Sequence, residues 1–150
     1  MDQPVPPPDL STRPNELMVE RVMKASPSLL YAAWTQGLDL WLAIPGSVRM
    51  RPGVDEPLYF DTGTDEKRNP HYGRILRLDK DRRVEFTWVT AATGGVETVV
   101  AVEFLKQPRG IRLRLKHSGF PSQAVRDVHE QVWPAMLERL DEVTAAAVAS

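Results

Sequence analysis

Few side chains in this sequence can do chemistry, and they are scattered. Its three histidines are His71, His117 and His129. None sits at metal-ligand spacing from another, and with no cysteine in the chain a thiolate site is excluded, so no metal or other cofactor is expected. The absence of cysteine also removes disulfides, iron–sulfur clusters and cysteine nucleophiles, and it fits a cytoplasmic setting. Gly94-Gly95 joins two strand-like stretches, which makes it a hairpin turn and not a phosphate cradle. Glu85 and Glu103 share the polar parity of Arg112 and Arg114, so cross-strand ion pairs on a solvated face account for them better than acid–base work does. The cations from Arg109 to Lys116 lack interleaved aromatics and have carboxylates nearby, which argues against nucleic-acid binding. His117 stands apart. It continues the apolar parity of Leu113 and Leu115, so it is expected to face the interior, either as a strand-end histidine hydrogen-bonded to a local backbone group or as the polar handle of an apolar pocket. No orienting partner for it is evident in the sequence, so no catalytic residue is assigned.

The elements that must position these groups follow from hydrophobic periodicity. Glu16–Ala25 is β-rich and predicts a first strand. Ser26-Pro27 supplies an N-cap with proline at the first helical position, and Leu30, Ala33 and Trp34 give a short helix one apolar stripe. Gly37 ends it, and Leu38–Leu42 predicts a second short helical turn carrying Trp41. Short strands are expected at Ser47–Arg51 and Leu58–Thr62, with a polar loop over Thr62–Pro70. Four more follow at Tyr72–Leu78, Arg83–Val89, Glu97–Leu105 and Ile111–Ser118. In the last three, Val84, Phe86 and Trp88, then Val100, Val102 and Phe104, then Ile111, Leu113 and Leu115 fall on one face. Period two with one apolar face predicts an antiparallel sheet covered on one side.

The cover is a C-terminal helix. Val125, Val128, Val132, Trp133, Met136, Leu137, Leu140 and Val143 recur at helical spacing. Pro134 cannot donate to the carbonyl of Glu130, so a kink or break is expected near 130–134. The main helix would then run over about 131–147, with Ser122–Glu130 as a separate turn able to gate a cavity.

Composition sets the outer limits. At 150 residues the chain is one ordinary domain with a core of its own, expected to span 16–150. Pro4, Pro6, Pro7, Pro8 and Pro14 make residues 1–15 an extended, poorly ordered arm. That start lacks the basic and apolar run of a secretory signal, and no stretch approaches the ~20 apolar residues of a membrane helix. A formal net charge of −1 offers no field toward nucleic acid or acidic lipid.

The order strand, two short helices, antiparallel meander and long helix resembles the START-like (SRPBCC) helix-grip superfamily. Within it the chain is similar to the branch of the activators of the heat-shock-protein-90 ATPase. The residues that carry the likeness include Ala33-Trp34-Thr35, Gly73-Arg74-Ile75-Leu76, Phe86-Thr87-Trp88, the run from Leu113 to Pro121, and Val132-Trp133-Pro134. Gly53-Val54-Asp55-Glu56-Pro57 departs from the family's usual glycine pair before the third strand. The resemblance implies an α+β fold, a curved sheet of six or seven strands wrapped around the last helix. It also implies a cavity between the two that holds a small apolar molecule. The expected lining is Trp41, Phe86, Trp88, Val102, His117, Trp133, Met136, Leu137 and Leu140. A noncatalytic ligand binder ranks first, a cyclase- or dehydratase-type enzyme second, and a module acting on a chaperone third. Sequence leaves the oligomeric state open.

Overall fold

The computed structural model describes residues 3–149. Strand β1 (Asn15–Met23) leads into two short helices, α1 (Pro27–Thr35) and α2 (Leu38–Trp41). Strands β2 (Arg49–Met50), β3 (Pro57–Gly63), β4 (Arg68–Asp79), β5 (Arg83–Trp88), β6 (Thr98–Lys106) and β7 (Ile111–Phe120) follow, and α3 (Gln123–Ala149) closes the order. One antiparallel sheet of seven strands results, in the spatial order β1-β7-β6-β5-β4-β3-β2. Every step is a neighbour step except the first, where β1 crosses to pair with β7 from Asn15 opposite Phe120 to Met23 opposite Ile111.

Local chemistry explains the entries and turns. The Ser26 hydroxyl accepts from the Leu29 amide, capping α1 as expected, and Pro27 fills its first position. The alternation in β5–β7 is the burial pattern found: Val84, Phe86, Val100, Val102, Leu113 and Leu115 are at most 1% exposed. On the outer face Arg83 pairs with Glu85 and Glu103, and Arg112 and Arg114 both reach Glu20 of β1. Ion pairs therefore account for both strand carboxylates, Glu103 across the β5–β6 ladder and Glu85 within β5 itself, with Arg83 rather than Arg112 or Arg114 as the partner.

The sheet curls where β4 crosses β5. A Cβ at Gly73 would lie 2.0 Å from the Thr87 carbonyl oxygen, so only glycine permits this approach. Beyond it β4 extends further back than expected, to Arg68, with Pro70 opposite Asp61 of β3. Pairing with β5 begins only at Ile75, apart from one bridge between Tyr72 and Val89. Pro70 therefore sits where β4 has a single ladder neighbour, and its missing N–H costs the sheet nothing.

The N-terminal arm makes contacts of its own. The Val5 amide donates to the Leu76 carbonyl at 2.9 Å, where the β4–β5 ladder slips by one residue. Arg13 donates to the carbonyls of Gly119 and Glu97 at 2.8 and 2.6 Å.

The expected break in the C-terminal helix is not present. Helix α3 runs unbroken from Gln123 to Ala149 with Pro134 inside it, so Ser122–Glu130 is no separate gate. Packing overrides the local rule. Trp133, Leu137 and Leu140 are at most 1% exposed and continue a stripe begun by the buried His129, so the same face is buried on both sides of the proline. Pro134 and Glu130 face solvent, where water can serve the freed carbonyl. Near its end α3 is tied to β1: Asp141, 5% exposed, accepts from the Lys24 amide at 3.1 Å and from Arg21 Nε at 3.2 Å.

Candidate functional site

The space between sheet and helix is filled with rings. Trp34 of α1 is fully buried, with its ring 4.7 Å from Trp41, 6.1 Å from Phe86 and 6.2 Å from Trp133. Trp88 packs 5.3 Å from Trp133 and 6.3 Å from Phe86. Phe86, Val102, Leu137 and Leu140 belong to this closed core. Trp41 donates its Nε1–H to the Ala33 carbonyl and borders a different cleft of about 270 Å³ between α1, α2 and the end of α3.

His117 lies inside the core. Trp133 Nε1–H donates to His117 Nδ1 at 3.0 Å. That leaves the imidazole proton on Nε2, which donates to the Thr98 hydroxyl at 2.8 Å; the hydroxyl in turn donates to the Trp88 carbonyl. The chain joins α3, β7, β6 and β5, and every group in it is satisfied. Burial, with a smaller repulsion from His129, holds the His117 imidazole well below its ordinary pKa, so it is neutral. A fully buried ring with both nitrogens engaged is a structural clamp in this geometry, not a polar handle presented to a ligand.

An open cavity of about 320 Å³ lies one layer further out, where the curled strands meet the first half of α3. Its floor is Trp88, and its sides are Asn69, Pro70 and His71 of β4, Thr62 of β3, and Thr90 with Ala91 and Ala92 after β5. Helix α3 contributes Val128, His129, Val132 and Met136. Of the residues expected from sequence to line a cavity, Trp88 and Met136 do so; the histidines at its wall are His71 and His129. Trp88 Nε1 is buried with no hydrogen-bond partner, so this side chain offers the cavity ring surface and not a donor. Val128 and Val132 are 57% and 41% exposed and form the rim.

Both imidazoles are fixed. His71 stacks on Phe60 at 4.7 Å, meets Trp88 edge-on at 4.6 Å, and its Nδ1 lies 2.8 Å from the Asn69 carbonyl. His129 Nδ1 lies 2.8 Å from the Val125 carbonyl one turn earlier, and its ring packs against Phe120 at 4.8 Å and His117 at 5.2 Å. A carbonyl only accepts, so each Nδ1 carries the proton. Burial lowers the His71 pKa, only partly opposed by the hydrogen bond to Asn69. Asp61 lies behind His71 but is held by Tyr59 and Arg68. No group of three metal-ligating side chains occurs among the described residues.

The sequence hid this site for identifiable reasons. Pro70 disguised the start of β4 as loop, which left His71 without a parity. His129 stands four residues before Trp133 on the buried stripe, a spacing that was open to inspection.

A seven-stranded curved sheet gripping a C-terminal helix, with two short helices after the first strand, defines the START-like (SRPBCC) class. The chain belongs to the family described as activator of Hsp90 ATPase homolog 1-like protein, whose model matches residues 24–145. No curated protein matches it. Among solved structures, a protein from Mesorhizobium loti superposes with a TM-score of 0.76 at 22% identity, covering 88% of this chain and 98% of its own. A protein from Aeromonas hydrophila, described as AHSA1-like, gives 0.72 at 15% identity over 91% and 96% of the two chains. The Aha1 dimer from Colwellia psychrerythraea gives 0.64 at 17% identity over 85% and 94%. At these identities the likeness establishes the fold. No helix among the described residues is long and apolar enough to cross a membrane.

Proposed function

We propose that the protein binds one small, mostly apolar molecule, without transforming it, between the curled strands and the first half of α3. The observation that carries this reading is the make-up of the cavity. At about 320 Å³ it falls at the small end of the ~300–1,000 Å³ usual for ligand sites, with an indole floor, a Met136 wall and a surface that is mostly apolar. The noncatalytic part rests on what surrounds the histidines. Each Nδ1 is held by a backbone carbonyl, and among the described residues no carboxylate lines the cavity to complete an acid–base pair.

Titration with a neutral fluorescent probe, N-phenyl-1-naphthylamine, tests the reading. Saturable binding should quench tryptophan emission and stabilise the fold by about 2.7 kcal/mol at a hundredfold excess over Kd. Val132→Trp at the rim should block binding while leaving the melting temperature of the free protein unchanged. Absence of binding, together with a full core penalty for Met136→Ala, would transfer the function to the protein surface.

A further inference from the structure

Resting on that binding function, we infer that the cavity selects a small uncharged phenol whose hydroxyl donates to Nε2 of the His71–His129 pair. The tautomers decide the polarity of the site. Both Nδ1–H groups are committed to backbone carbonyls at 2.8 Å, so the Nε2 of an uncharged ring in this position is an acceptor. Neither Nε2 has a hydrogen-bond partner among the described residues. The rings cannot turn to change this. His71 is clamped between Phe60 and Trp88, and His129 between Phe120 and His117.

Charge excludes the alternatives. Among the described residues no lysine, arginine, aspartate or glutamate lines the cavity; beside the two imidazoles its polar groups are the uncharged Thr62, Asn69 and Thr90, so a carboxylate would be buried with no cation and an ammonium with no anion. A hydroxyl is the neutral donor that satisfies an acceptor without bringing charge. The ring part of the ligand follows from the walls. Trp88 presents an indole surface and Met136 a thioether beside it, a combination that favours a flat aromatic over a branched aliphatic body. The cavity volume restricts the ligand to one or two rings.

Two isomers of equal composition separate the donor from the hydrophobic body: 4-ethylphenol and 4-methylanisole. Calorimetric titration at pH 8, above the ordinary imidazole range, should find 4-ethylphenol about tenfold tighter, the worth of one hydrogen bond. His71→Phe keeps a ring on Phe60 and removes the acceptor; His129→Leu removes the acceptor on α3 while keeping an apolar side chain against Phe120. At least one of them should cut the preference below about threefold while 4-methylanisole binds as before. In long-range proton–nitrogen spectra of the unmodified protein, an Nε2 resonance of His71 or His129 should move on adding 4-ethylphenol and not on adding 4-methylanisole. This readout needs no variant to fold. Equal affinity for the two isomers, or unmoved Nε2 resonances, overturns the phenol inference and leaves apolar binding intact. Tighter binding of 4-ethylbenzoate or 4-ethylbenzylamine overturns it in favour of a charged ligand. If no member of the set binds, the proposed function itself fails.

Discussion

Replacing His117 with Leu tests the buried clamp most sharply, because its cost should depend on pH. At pH 7.5 the substitution leaves the Trp133 Nε1–H without its acceptor inside the core. A buried donor left unsatisfied costs ~1–3 kcal/mol, so a loss of about 2 kcal/mol is expected. Acid changes the comparison. The native imidazole is held well below the ordinary value of 6.5, whereas the unfolded chain takes up a proton there. The unfolded state then binds more protons than the native one, so the parent protein loses stability as pH falls from 6.5, at up to ~1.4 kcal/mol per unit. While the native ring stays neutral, the loss reaches about 2 kcal/mol by pH 5. The Leu variant has no such group. His71 shifts in the same direction but is present in both proteins and cancels. Urea melts followed by tryptophan fluorescence between pH 7.5 and 5 should therefore show a gap of about 2 kcal/mol that closes toward zero. A gap that stays constant or widens would refute a neutral, fully engaged His117.

Met136→Ala should cost clearly less than the ~2–5 kcal/mol of a closed-core truncation, because that side chain borders open space; denaturant melts decide this. Pro134→Ala should restore a donor for the Glu130 carbonyl in a helix that already runs unbroken past this position, raising stability on the order of 1 kcal/mol; a lowered melting temperature would mean that packing requires the proline. Asp141→Ala should cost ~1–3 kcal/mol and speed hydrogen exchange at the Lys24 amide, since that donor loses its carboxylate; unchanged exchange would show that α3 is anchored otherwise.

The strands and the helical cap were legible because each is set by nearby residues. Val84, Phe86 and Trp88 alternate with polar neighbours, and Ser26-Pro27 states its own geometry. The run of α3 through Pro134 was not legible, because the rule about proline is local while the buried face from His129 to Leu140 is a property of the whole helix. The site was obscured in two ways. His117 had the inward parity of a ligand handle, but parity cannot reveal that Trp133 and Thr98 already occupy its nitrogens. Nor does spacing show that Trp34 fills the middle of the grip, which pushes the open volume outward to His71 and His129. That outcome depends on curvature, and the curvature hinges on Gly73 lying against Thr87.

The crossing of β1 to β7 has a consequence for how the protein is made. The earliest strand of this sheet in the chain pairs with the last, Asn15 with Phe120, so the sheet cannot be completed until all seven strands are synthesised. The rings of Trp133 and the side chains of Leu137 and Leu140 emerge later still. Until then Leu30, Trp34, Phe86 and Trp88 have no cover from α3, and the growing chain carries exposed apolar surface through most of its synthesis. Contacts so distant in sequence make for slow closure and a long window for aggregation. A truncation before α3 should therefore strip the core of Trp133, Leu137 and Leu140 and leave the sheet uncovered, whereas trimming the N-terminal arm should cost only the few contacts of Val5 and Arg13.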